Sequence, residues 1–259
     1  MARKTAVIRS DIAFSTADSI TVRGKDLPNE ILGHMNLGDF AYFQLMGKTA
    51  TLSQSRVFNA MLITLVEHGI TPSALVARLT YAGAPESLQG AVAAGLCGLG
   101  TVFVGTTEGA AKMLYQALAD TDVDADLEKI ARDTVAAFRE RKQIIPGLGH
   151  PLHKPIDPRT PRLFQIAEDN GMKGRYITLM QLIGAEAERA SGKVLPINAT
   201  GAIGAICCEF GFPWEIVRGF GVMARAIGLV GHILEESKTP MAHEIWHRME
   251  DEASTHLRK

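Results

Sequence analysis

Residues 143–162 read QIIPGLGHPLHKPIDPRTPR, and the rest of the chain is best read outward from this stretch. Proline fixes φ and donates no backbone hydrogen bond. Repeated here beside a Pro-Gly-Leu-Gly turn, it makes the segment a poor core helix or central strand. The stretch therefore reads as a rigid loop, and it carries His150, His153, Lys154, Arg159 and Arg162. Fixed geometry with clustered basic side chains suits an anion held beside a polarising imidazole. The plainer alternative is a positively charged surface connection.

On both sides of the loop the pattern is helical. Val57, Phe58, Met61, Leu62, Leu65 and Val66 recur at helical spacing, with Gly69 as a stop. Thr71-Pro72 then supplies an N-cap followed by proline at the first helical position. Further helices are predicted at 86–98, 107–119, 125–142, 161–170, 173–190, 199–210 and 214–236, with Gly171, Gly192 and Gly211 as C-terminal stops. Before them, β-branched clusters at Val7-Ile8 and Ile20–Val22 predict a short hairpin or two irregular strands. The expected fold class is mainly α with a short N-terminal β segment.

Bulk properties narrow the function. The chain has 259 residues, 46% hydrophobic and 21% charged, which suits a globular protein with one large domain or a large and a small one. A net charge of -1 gives no general basic field for nucleic acid, so an anion site has to be local. The start lacks the apolar core of a secretory signal. The apolar run 216–234 contains Arg218, Arg225 and His232, costly at a bilayer centre, so a buried helix of a soluble protein is expected and no membrane span. Cys97 and the adjacent Cys207-Cys208 suit neither a disulfide framework nor a zinc site, and a cytoplasmic location is expected.

Single residues leave alternatives open. Arg225 in its apolar helix calls for a carboxylate, structural or belonging to a ligand. Glycines 219, 221, 228 and 231 of the same helix predict close approach of another helix or a ligand. His68 is either a satisfied helix-terminal histidine or a site residue. The segment His243-Glu-Ile-Trp-His247 matches H-E-x-x-H, a zinc-protease pattern, but Glu250 and Ala253 stand where the metzincin extension needs glycine and histidine. It reads as a chance match on a solvated helix, with no metal expected. The glycines of 95–100 do not form a dinucleotide fingerprint and read as helix packing.

The stretch G-L-G-H-P-L-H-K-P-I-D-P-R resembles the G-x-G-H-x-x-x-K-x-x-D-P-R motif of the citrate synthase family. In the same order, the Leu65-Val-Glu-His68-Gly segment, Asn198-Ala-Thr-Gly and Met223-Ala-Arg225-Ala-Ile-Gly228-Leu-Val-Gly-His resemble further family segments. The resemblance runs from about residue 5 to 247. Phe103-Val-Gly105 and the short length are most similar to the citryl-CoA lyase branch, which includes the C-terminal module of ATP-citrate lyase.

The resemblance implies a helical homodimer, or a higher oligomer, with a large domain (1–142 and 211–259) and a smaller mobile domain (143–210). It implies a citrate-type acyl-CoA substrate, with coenzyme A as carrier. His150 would hydrogen-bond the oxygen that interconverts between oxaloacetate carbonyl and citryl alkoxide, and His68 would add a second bond to substrate. Arg159 and Arg225 would take substrate carboxylates. Gly147, Leu148, Gly149, Lys154 and Asn198 would face coenzyme A. One departure stands out: where the family has a proton-transferring aspartate, this chain has Thr200, and a neutral hydroxyl is no base near pH 7 without an activating partner. Near the C-terminus, His243 takes the place of an arginine used by relatives for a substrate carboxylate. The implied activities are cleavage of citryl-CoA or a similar 3-hydroxyacyl-CoA, condensation on a different oxo acid, or acyl-CoA binding without catalysis.

Overall fold

The computed structural model describes residues 8–258, so Val7 of the expected N-terminal cluster lies outside the described residues. The fold is 64% helical. The chain divides into two compact units, Met1–Asn59 and Ala60–Lys259.

The first unit holds an antiparallel sheet in the order β1 (Ala13–Ser15), β2 (Ile20–Val22), β3 (Lys25–Asp26). Ala13 pairs with Val22 and Ser15 with Ile20. The cluster at 20–22 thus forms a strand as expected, whereas Ile8 stays in irregular backbone. A π-helical turn, Leu27–Ile31, leads to α1 (Leu37–Met46), which the periodicity reading did not assign. Asn36 caps α1 by accepting the Asp39 amide, and Gly47 ends it at φ 68°. Val22, Ile31 and Phe43 form the core of this unit.

The helix α2 (Leu52–Val66) runs from this unit into the second. There follow α3 (Pro72–Gly83), α4 (Leu88–Cys97), α5 (Gly105–Leu118), α6 (Leu127–Glu140), α7 (Arg159–Asp169), α8 (Arg175–Ser191), α9 (Ala199–Phe210), α10 (Val217–Lys238) and α11 (Ala242–Ser254). Thr71 caps α3 as expected, and Gly171, Gly192 and Gly211 adopt positive φ where the stops were placed.

The centre of this unit is α9, largely apolar and buried at Ala199 and through Gly201–Cys208. Such a helix has no solvent face and must be wrapped; α5, α7 and α8 pack on it. Gly204 permits this, because a Cβ there would sit 2.8 Å from the Thr107 carbonyl oxygen. Gly95 likewise packs against the Ser73 carbonyl, in keeping with the packing reading of 95–100.

Trp214–Lys238 is long and apolar enough to cross a membrane by length and composition, yet half of its apolar window is buried. Its buried residues include Arg225, His232 and Glu236. Of its four glycines, 221 and 228 make close approaches, to Val104 and to the Val66 carbonyl; 219 has only ordinary contacts and 231 open space. The Gly228 contact seats the end of α2, and the Glu67-His68 segment behind it, against the helix that carries Arg225.

Candidate functional site

The segment 143–158 is a loop as expected, although α7 starts at Arg159, two residues before its predicted start. The loop is tied to the chain entering α9. Asn198 donates its amide to the Gly147 carbonyl (2.9 Å), and the Gly149 amide donates to the Pro196 carbonyl (2.7 Å). Asn198 Nδ2 donates to the Gly149 carbonyl (2.7 Å), while its Oδ1 caps α9 by accepting the Gly201 amide. Gly147 is obligatory: its φ is +85°, and a Cβ would stand 2.5 Å from Gly201 Cα. These polar groups of Gly147, Gly149 and Asn198, expected to face coenzyme A, therefore have internal partners. Lys154 is exposed.

The loop presents His150 in one tautomer. Its Nδ1 accepts the amides of Leu152 (3.1 Å) and His153 (2.9 Å), which leaves the ring proton on Nε2. Burial, then the neighbouring His153, push its pKa below the usual imidazole range. The result is a neutral N–H donor held at a fixed angle.

His68 joins from the end of α2, its ring centroid 5.7 Å from that of His150. His68 Nε2 lies 3.1 Å from His153 Nε2. His153 stacks on His150 at 4.3 Å between centroids. Burial, and then the Arg159 cation and the His153 ring, lower the His68 pKa. Glu67 fixes the His68 backbone by accepting the amides of His68 (2.8 Å) and Gly69 (2.7 Å). Glu67 in turn meets His232 Nε2 at 3.1 Å, and His232 Nδ1 accepts from the buried Arg78.

Arg225 is buried, and its Nε and Nη1 have no hydrogen-bond partner. Burial pushes its pKa down, opposed by the field of Glu67 and assisted by that of Arg159. Arg159 differs. Its Nε and Nη2 grip both oxygens of Asp157 at 2.9 and 2.8 Å, so the bidentate edge expected for a ligand carboxylate is already taken. Asp157 is fully buried and also accepts the Ala199 amide. Burial raises its pKa, but Arg159 and that amide outweigh it and hold the group at about 2. It is a locked anion, unsuited to taking a proton at neutral pH.

Thr200 donates to Asn198 Oδ1 (2.6 Å) and shares a hydrogen bond with Thr106 Oγ1 (2.8 Å). Neither partner is a base, so nothing in these contacts activates the hydroxyl. Glu209 serves elsewhere, accepting the Gly174 and Ile177 amides at the start of α8.

His68, His150 and His153 hold ring nitrogens within 4.8 Å of one another, a spacing a metal ion could use. The chemistry argues otherwise. Nε2 ligation by His150 would need the ring proton on Nδ1, facing two amide N–H groups, and the cations of Arg159 and Arg225 act on the same space. The set suits a proton and an anion. On α11, His243 and His247 are exposed and Glu244 is engaged by Arg248 at 2.6 Å.

Sequence reasoning thus placed His68, His150, Arg159 and Arg225 together. It missed the contacts of His153, the buried Asp157 anchor, Thr106, and the Arg78–His232–Glu67 relay. The D-P-R tripeptide held a signal for Asp157; the relay had none.

The family described as "Citrate synthase, C-terminal domain" matches residues 7–247. The chain belongs to the citrate synthase family. Its fold is similar to that of citryl-CoA lyase from Hydrogenobacter thermophilus, with a TM-score of 0.81, 32% identity, and coverage of 90% of this chain and 88% of that one. ATP citrate lyase from Methanothrix soehngenii, solved with citrate and coenzyme A, shares the fold at a TM-score of 0.73 and 20% identity, over 92% of this chain and 40% of that one. In sequence, the chain is 25% identical over 241 residues to the 2-methylcitrate synthase of Mycobacterium tuberculosis, covering 91% of this chain. It spans 50% and 59% of the length of the curated synthases from Bacillus subtilis and M. tuberculosis that it matches.

Proposed function

We propose that the chain is a carbon–carbon lyase that cleaves citryl-CoA, or a similar 3-hydroxyacyl-CoA, into acetyl-CoA and oxaloacetate or another 2-oxo acid. The observation that carries this is the buried guanidinium of Arg225, whose Nε and Nη1 have no partner and whose charge acts on His68 beside Arg159. A desolvated cation with idle donors is costly unless an anion completes it. The similarity to a citryl-CoA lyase of nearly the same length supports the choice of reaction.

The chemistry follows from the groups at hand. Arg225 takes a substrate carboxylate, and the remaining donors of Arg159 take another. His150 Nε2–H hydrogen-bonds the carbinol oxygen, stabilising negative charge as the carbonyl forms. In this reading the exposed Lys154 holds a coenzyme A phosphate and the loop at 147–149 contacts its adenine end. A homodimer belongs to the same proposal. Ile227, Val230 and Leu234 leave an exposed apolar stripe on α10, of the kind that a second copy covers.

Thr200 favours a second reading, a non-catalytic acyl-CoA-binding protein. A coupled assay for oxaloacetate release from citryl-CoA decides between them, with turnover expected. No turnover, together with a coenzyme A-dependent rise in Tm, would sink the lyase in favour of the binding protein. Turnover with another oxo acid in the condensing direction would make it a synthase.

A further inference from the structure

His153 has no part in the reaction so far, yet it touches both other imidazoles. Its Nε2 lies 3.1 Å from His68 Nε2, its ring stacks on His150, and its amide holds the His150 tautomer. Two neutral imidazoles carry two protons on four nitrogens. The facing contact consumes one proton and one lone pair, so the two Nδ1 atoms share the other proton and the other lone pair. The pair therefore offers one basic nitrogen in all, and when a proton binds there the bridging proton can pass to the other ring, which then carries the charge.

We propose that His68 and His153 act as one proton acceptor. His68 takes the hydroxyl proton of the substrate and His153 holds the resulting charge, replacing the carboxylate that Thr200 does not supply. This inference rests on the citryl-CoA reading. The O–H bond breaks and its proton goes to His68 Nδ1, while the bridging proton passes to His153. The bond between the carbinol carbon and the thioester methylene breaks, its electron pair becoming the thioester enolate as the carbonyl forms. The enolate carbon then takes the proton back, giving acetyl-CoA and restoring both neutral rings.

The charges around His68 favour this division. The Arg159 and Arg225 cations and the His153 ring bear on His68 directly. The Glu67 carboxylate is engaged with two amides and His232, and Asp157 acts on His150 while locked to Arg159. A cation on His68 itself would face both arginines. His153 is thus a positioning residue that also shares the proton.

The test pairs His153→Phe, which keeps a ring on His150, with His153→Gln, which keeps a hydrogen-bonding group but cannot hold the charge. In both, kcat for oxaloacetate release is expected to fall about 100-fold, the lower end for general acid–base catalysis. The imidazole 15N titration of His68 in ligand-free protein is expected to move to higher pH in His153→Phe. A glutamine variant that keeps wild-type kcat, or a His68 titration unmoved in His153→Phe, overturns the shared proton. Wild-type protein that releases no oxaloacetate fails the lyase reading instead, and the titration still decides the pair.

Discussion

Arg78 on α3 and Arg225 on α10 are both buried, and their helices pack together. Their surroundings are opposite. Arg78 bonds Glu235, Glu236 and His232, and Glu236 also accepts the Met241 and Ala242 amides at the start of α11. Arg225 leaves Nε and Nη1 without a partner. One guanidinium is completed by the fold, and the other is not. Burial alone does not distinguish structure from function; the state of the donors does.

Two substitutions press on that contrast. Arg78→Met strands the buried Glu236 carboxylate, and denaturant unfolding should report a loss of about 3–5 kcal/mol, the usual cost of removing one side of a buried pair. Arg225→Met should leave stability unchanged or improved, since it removes a buried cation whose Nε and Nη1 have no partner. The same change should weaken citrate binding about 100-fold by calorimetry, as expected for loss of a desolvated charge contact. A large stability loss in Arg225→Met would make the two arginines alike and remove the argument for a ligand.

Arg159 is the intermediate case, and pH reads it. Asp157 has a folded pKa of about 2 against an ordinary 3.8, so it is depressed on folding. Its contribution is complete above the unfolded value and is lost as pH falls from about 4 to about 2. By linkage this amounts to on the order of 2 kcal/mol, and Asp157→Asn should flatten the acid limb of stability against pH by that amount. His68 and His150 are depressed too, so protonating them also favours the unfolded chain, in a window beginning near the ordinary imidazole value of 6.5. A limb unchanged by Asp157→Asn would show that the Arg159 grip contributes nothing.

How much was legible in sequence follows the range of each interaction. The boundaries of α9 and the Thr71 cap of α3 rest on neighbours a few residues away, and both were read correctly. The loop at 143–158 was equally plain, because prolines act locally. The helix α1 escaped because its local marks, the Asn36 cap and the Gly47 stop, bracket a segment of only ten residues. In the site, the residues found were those inside continuous motifs. The contacts missed span 85 residues between His68 and His153, 154 between Arg78 and His232, and 165 between His232 and Glu67. No periodicity links positions that far apart; only the folded chain brings them together. The role of Arg159 was half seen, since the tripeptide with Asp157 held the partner that occupies its fork.

The ladder between 147–149 and 196–198 has a mechanical consequence. Leu148 and Ile197 bridge like two rungs of a sheet, so the loop and the head of α9 form a single stiff block. His150, His153 and Thr200 ride on that block, while His68 and Arg225 belong to the opposite wall. Across the gap, His68 meets the block at both His150 and His153, so the two walls are held together through imidazoles.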